Sequence, residues 1–178
     1  MSCILRDLGD IQTLVPLAAA VSVCEACESE APLRCEIKWP NDILARERKL
    51  AGILFEGRPQ QGWVVVGVGV NVGQTAADFP HSLKETATSL AIECPDQAVT
   101  STQLVHTLLK RLDEWLRKSP AALREAWQAR DFLYGRRITW DSGEGIARGI
   151  AGDGSLLVAT GQGQTNLRAG EVHLHRKS

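Results

Sequence analysis

The chain has 178 residues, with 20 Lys and Arg against 21 Asp and Glu, a formal net charge of -1. At roughly 150 residues per domain this predicts one domain, or one with a small appendage. The near-neutral balance argues against a general nucleic-acid binder, and 44% hydrophobic with 23% charged residues excludes disorder along the whole chain. No segment approaches the ~20 apolar residues of a membrane span. The stretch from Leu14 to Cys27 is too short and contains Glu25. The first residues lack the basic region and apolar core of a signal peptide. Five cysteines is an odd number for a disulfide framework, so a reducing cytoplasm is expected and no membrane partner.

Ser2 to Leu5 reads as a short strand. Asp10 is expected to cap a helix running to about Ser29, with Pro16 near its first turn. Ile11, Leu14, Ala18 and Val21 recur at helical spacing and their flanks are apolar too, so this helix is expected to be deeply buried. Cys24 and Cys27 form a C-x-x-C pair, read as small apolar residues on that helix, since no second pair completes a zinc site. Cys35 to Trp39 is a strand ended by the turn Pro40-Asn41-Asp42. Ile43 to Ala45 and Leu50 to Glu56 form a hairpin around the charged run Arg46-Glu47-Arg48-Lys49, with a second turn over Gly57 to Gly62. Trp63 to Val72 is a Val/Gly strand, expected to be central and buried on both faces.

Gly73 to Pro95 reads as a long loop with a short helix around Ser89 to Ile92, and such loops are often functional. Thr100 and Gln103 match a capping box, followed by an apolar face of Leu104, Leu108, Leu112, Trp115 and Leu116. Ser119-Pro120 opens another helix, with Leu123, Ala126 and Trp127 inward. Composition shifts near Asp131, and from Arg136 the chain turns to short strands and glycines, with a hairpin signal at Asp153-Gly154. An α+β domain over 1–131 and a small all-β, barrel-like unit over 132–178 are therefore predicted.

Three clusters carry candidate chemistry. Lys38-Trp39-Pro40-Asn41-Asp42 delivers an amide and a carboxylate at a sheet edge, though such a turn is common without any function. In Arg48-Lys49-Leu50-Ala51-Gly52-Ile53-Leu54, a lysine precedes a glycine that clears space beside the backbone. Gly67-Val68-Gly69-Val70-Asn71-Val72-Gly73 suggests a dinucleotide fingerprint, but its third glycine comes too late and no helix clearly opens after it. Glycines in a strand instead point to close approach by a ligand.

Taken together, KWPNDI, RKLAGIL and GVGVNVG resemble the motifs of the biotin protein ligases (biotin–acetyl-CoA-carboxylase ligases). Ala87-Thr88-Ser89-Leu90 is similar to a segment near the family's nucleotide side. The stretch with Gly149-Ile150, Asp153-Gly154-Ser155-Leu156-Leu157 and Ala169-Gly170-Glu171-Val172 resembles its SH3-like domain. The resemblance implies a fold in which a mixed β-sheet packs with helices, a class II synthetase-like catalytic domain, followed by a small SH3-like β-barrel. It implies activation of biotin by ATP and Mg2+ to biotinyl-5′-AMP, then transfer to a lysine of the biotin carboxyl carrier protein of acetyl-CoA carboxylase. By resemblance Lys49 offsets charge at the α-phosphate and Asp42 orients the carrier amine. Lys38, Trp39, Asn41, Gly52, Ile53, Gly67, Gly69 and Asn71 join Lys49 in binding biotin and adenylate. Asn71 lies near the metal, and Glu171 serves the ATP side.

The same resemblance has departures. The family's G-R-G-R-x-G-R loop and an upstream Ser-Thr pair have no counterpart here, which implies that the N-terminal part of the catalytic domain is missing. The family's DNA-binding helix-turn-helix also has no counterpart, so no DNA partner is expected; a homodimer is possible. Where the family often has Glu followed four residues later by Arg, this chain has Glu171 and His175. Two other readings stand beside the ligase: a non-catalytic biotin or adenylate-binding module, and a lipoate-transfer relative.

Overall fold

A computed structural model describes residues 1–58 and 62–175. Two five-stranded sheets and four helices make up the chain's regular structure among these residues. The first sheet contains β1 (Ser2–Arg6), β2 (Cys35–Lys38), β3 (Asp42–Ala45), β4 (Arg48–Arg58) and β5 (Trp63–Val70), in the order β1-β5-β4-β3-β2. Each neighbouring pair is antiparallel, so the expected mixed sheet is corrected. Short connections favour antiparallel return. Among the described residues, parallel contacts occur only as isolated bridges, Ile37 with Asp131 and Lys49 with Ala87.

Helix α1 (Val15–Glu30) lies between this sheet and α3 (Ser101–Leu116) with α4 (Pro120–Gln128). A helix covered on both sides has no solvent stripe, and Val15, Ala18, Val21, Cys24 and Cys27 are all buried. Its start differs from expectation. Gly9–Leu14 is a 3-10 turn, and α1 begins without a side-chain cap, with Pro16 in its first turn. The missing N–H of proline costs nothing there. At the other end, Glu28 accepts from both arms of Arg130 at 3.0 and 2.8 Å and from the Cys35 amide at 2.9 Å, tying α1 to β2.

Helix α3 carries the predicted capping box, and Leu104, Leu108 and Leu112 face α1 as its single apolar stripe. The predicted short helix is present as α2 (Leu90–Glu93), capped by Ser89 accepting from the Ile92 amide at 3.1 Å. No helix among the described residues is long and apolar enough to cross a membrane. The turn expected over Gly57 to Gly62 lies partly outside the described residues.

Strand β5 is internal but not buried on both faces. Val64, Val66 and Val68 point into the core, while the opposite face carries Val65, Gly67 and Gly69 and stays open. Helix α1 covers only one side, so the alternation of a half-buried strand wins over the continuous apolar run.

The second sheet contains β6 (Arg137–Trp140), β7 (Gly143–Ile150), β8 (Leu156–Thr160), β9 (Gly163–Leu167) and β10 (His173–Leu174), antiparallel in the order β10-β6-β7-β8-β9. The expected turn joins β7 to β8: Gly154 takes φ +82°, and Asp153 accepts from the Ser155 amide at 3.1 Å. The first sheet is tied to the chain leading into the second and to the turn between β7 and β8. The Ile37 amide donates to the Arg130 carbonyl at 2.7 Å while the Phe132 amide donates to the Ile37 carbonyl at 3.0 Å. The Trp39 indole donates to the Gly154 carbonyl at 3.1 Å.

Candidate functional site

The open face of the first sheet leads into a cleft of about 920 Å³ between β3, β4, the 79–87 segment and the end of β10. Its floor is bare backbone. Gly52 and Gly69 are directly opposed across β4 and β5, and Asp42 opposes Gly52 across β3 and β4. A Cβ at Gly52 would stand 3.4 Å from Lys49 Cε, 3.5 Å from its Nζ and 3.9 Å from Asp42 Oδ1. Glycine therefore leaves room for something flat to approach the ammonium–carboxylate pair from the sheet side.

That pair is the tightest polar contact in the cleft: Lys49 Nζ lies 2.6 Å from Asp42 Oδ1, with the lysine side chain 49% and the aspartate 23% exposed. A β-bulge brings it about. The register between β3 and β4 slips between Ile43 and Leu44, so that Leu44 opposes Lys49 and Ile43 opposes Ala51. Leu50 is the extra residue; it and Ala51 are both buried, which breaks the alternation. Strict alternation would put Lys49 opposite in sense to Gly52; the bulge turns it onto Gly52's face.

Lys49 is fixed through its backbone as well. Its amide donates to the Thr86 carbonyl at 2.7 Å, and its carbonyl accepts from the Thr88 amide at 2.9 Å. Asn71 braces the same segment. Its side-chain amide donates to the Thr88 carbonyl at 2.9 Å, and its backbone pairs with Leu50 and Leu90.

The structure gathers Lys38, Asp42, Lys49, Gly52, Gly69 and Asn71 around this one cleft. Five other expected residues lie elsewhere. Trp39 is 4% exposed and spends its indole N–H on the second sheet. Asn41 donates to the Ile53 carbonyl at 2.8 Å and shapes the turn. Ile53 is 2% exposed and belongs to the core under α1. Gly67 is one pair further along the strands, opposite Leu54. Glu171, expected on the ATP side, is 88% exposed and pairs with His173 at 3.8 Å. His173 and Leu174 instead reach the cleft from the second sheet.

The sequence pattern assigns no role to Arg46, Glu93 or Phe132, and Arg48 enters it only as the neighbour of Lys49; Arg46 reads as part of a charged hairpin tip and Glu93 as one acid in a long loop. Nearby, Asp131 is half-buried and its pKa is raised to about 6 by desolvation, against a hydrogen bond from the Leu133 amide at 2.9 Å. Among the described residues no three His, Cys, Asp or Glu side chains are arranged to hold a metal.

Comparison with known proteins gives a consistent set of likenesses. Residues 8–72 match the profile of the biotin/lipoate A/B protein ligase family. The chain is 31% identical over 186 residues to the bifunctional ligase/repressor BirA of Bacillus subtilis, covering 98% of this chain and 57% of that protein. It is 35% identical over 167 residues to the biotin–[acetyl-CoA-carboxylase] ligase of Mycobacterium tuberculosis, covering 88% and 60%. The chain thus spans less than two thirds of the length of these relatives. A crystal structure of biotin protein ligase from Aquifex aeolicus superposes with a TM-score of 0.87 at 26% identity, covering 98% of this chain and 81% of that one. The Aquifex aeolicus enzyme in complex with biotin and ATP superposes at 0.84 with 27% identity, covering 99% and 77%.

Proposed function

We infer, from the premise that the chain belongs to the biotin/lipoate A/B protein ligase family, that it carries biotin protein ligase chemistry. Biotin is activated by ATP to biotinyl-5′-AMP and passed to a lysine of a biotin carboxyl carrier protein. The observation that carries this reading is the Lys49–Asp42 pair, 2.6 Å apart, standing over the bare Gly52–Gly69 floor. The likeness to a ligase holding biotin and ATP supports it. On this reading residues 1–131 are ligase catalytic domain and residues 132–178 the SH3-like domain.

In the first step a biotin carboxylate oxygen forms a bond to the α-phosphorus of ATP, and the bond to the β-phosphate oxygen breaks, releasing pyrophosphate. Two anions must meet. Lys49, held over the floor by Asp42, the bulge and the Thr86–Thr88 backbone, offsets their repulsion and the charge that grows on the phosphoryl oxygens. Gly52 and Gly69 let the fused rings of biotin lie against the sheet. In the second step the carrier amine attacks the acyl carbon of the anhydride, AMP leaves, and the amine loses a proton. Asp42 is the carboxylate beside that point. Its contact with Lys49 makes it first a positioning group, and a proton acceptor only once the phosphate draws Lys49 away.

Asn71 was the expected metal residue. Its side-chain N–H donates to the Thr88 carbonyl, so its amide oxygen is the atom that would face a metal. Mg2+ would arrive on the phosphates of the nucleotide, as it commonly does, with no protein cage. The test is calorimetric binding of a non-hydrolysable biotinyl adenylate analogue, together with transfer of labelled biotin to a purified carrier domain. Tight binding abolished by Lys49→Ala is the expected result. Preference for the lipoyl over the biotinyl adenylate would replace this reading with the lipoate-transfer one.

A further inference from the structure

Glu93 is a carboxylate with almost no access to solvent, its side chain 1% exposed, yet it lies outside the chemistry described above. One oxygen accepts from Arg48 Nη2 at 2.7 Å and from the Thr88 hydroxyl at 2.6 Å. The other pairs with Arg46 Nε at 3.2 Å. These partners bracket Lys49: Arg48 precedes it in β4, and Thr88 lies beside it through the hydrogen bond to its carbonyl.

The tip of this hairpin is itself unusual. Arg46 and Glu47 take φ of +48° and +63°, the left-handed region that two-residue turns normally fill with Asn, Asp or Gly. Bulky charged residues are strained there. Both are tied down: Arg46 to Glu93, and Glu47 to Arg136 at 3.2 Å. Arg136 in turn sits 4.0 Å over the ring of Phe132 at the cleft wall. Three cations, Arg46, Arg48 and Lys49, stand within four residues, and the buried carboxylate offsets their mutual repulsion where the chain must hold still.

We propose that Glu93, with the strained Arg46–Glu47 tip, is a positioning clamp that fixes Lys49 over the Gly52–Gly69 floor. As regards the ligand, the proposal rests on the reading of the cleft as a biotinyl adenylate site. The clamp itself is a statement about Lys49. A buried ion network that served only stability would be replaceable without moving that lysine.

The experiment uses the full chain after reductive ¹³C-methylation, with the Lys49 resonance assigned through Lys49→Arg, alongside calorimetry with a non-hydrolysable biotinyl adenylate. In Glu93→Ala the Lys49 signal moves to the position of a free exposed lysine. Affinity falls roughly 10- to 100-fold, as a misplacement of about 1 Å can cost. Glu93→Gln keeps an acceptor for Arg48 or Thr88 and restores most of both.

Arg46→Asn/Glu47→Gly supplies ordinary turn residues. It leaves the melting temperature unchanged or higher, yet loosens the Lys49 signal and weakens the ligand. This second variant decides the matter should Glu93→Ala fail to fold. An unmoved Lys49 resonance in folded Glu93→Ala, or in the tip variant, overturns the clamp. A parent chain that binds no biotinyl adenylate refutes the site reading, and the resonance arm still decides the clamp.

Discussion

Gly52 offers the sharpest separation of fold from ligand binding. A Cβ there would meet Lys49 Cε at 3.4 Å and Nζ at 3.5 Å, contacts that the end of a flexible side chain can absorb. Gly52→Ala is therefore expected to leave the fold as stable as the parent or better, since glycine inside a strand costs roughly 0.5–1 kcal/mol relative to alanine. The same methyl would occupy the floor on which a ligand must lie. Overpacking of that kind costs about 1–3 kcal/mol, or roughly 5- to 150-fold in affinity. Gly52→Val adds two further carbons beside the Lys49–Asp42 pair, 2.6 Å apart. It should add the loss of a charge-assisted contact, about 1.5–3 kcal/mol. Calorimetric titration with the biotinyl adenylate analogue, beside melting temperatures for the three proteins, reads both quantities. Gly52→Val binding as tightly as the parent would show that the ligand does not lie on this floor.

Other expectations are open to direct measurement. Lys49→Ala should lower pyrophosphate release by ~100-fold or more, the scale of losing one preorganised electrostatic group, whereas Asp42→Asn should lower both half-reactions while leaving the melting temperature close to the parent's; near-parent rates in either remove that residue from the mechanism. The pKa of Asp131 rises from the ordinary 3.8 to about 6 on burial, so the native state holds its proton longer than the unfolded chain and stability is lost as pH climbs from about 4 to about 6. Asp131→Asn keeps an acceptor for the Leu133 amide and should gain up to ~3 kcal/mol over the parent above that window and nothing below it; denaturant melts at pH 3.5 and pH 7.5 showing no difference between the two proteins would contradict this. Cys24, Cys27 and Cys35 are free and 0% exposed, so an alkylating reagent on the native protein should label the half-buried Cys3 first; early labelling of Cys24 or Cys27 would show that α1 is not covered on both sides.

Local chemistry was legible from the sequence alone wherever it acts within a few residues. The Thr100–Gln103 box, the short helix near Ser89, the Asp153-Gly154 turn and the apolar stripe of α3 depend on spacing along one element, and each is found where the pattern puts it. The strings around Lys38–Asp42, Lys49–Gly52 and Gly67–Asn71 likewise supplied residues that line the cleft, where glycines leave the backbone beside a cation uncovered. What the tertiary structure alone decided is which of those residues meet. Period-two alternation would have sent Lys49 to the face opposite Gly52, and a one-residue bulge reverses that. Trp39, Asn41 and Ile53 share the same strings but point to the second sheet, the turn and the core. Glu93, 44 residues beyond Lys49 in the sequence, reaches Arg48 only because the 86–93 segment folds back along β4. Contacts between distant segments are set by how helices and sheet pack, and a linear pattern carries no record of that distance.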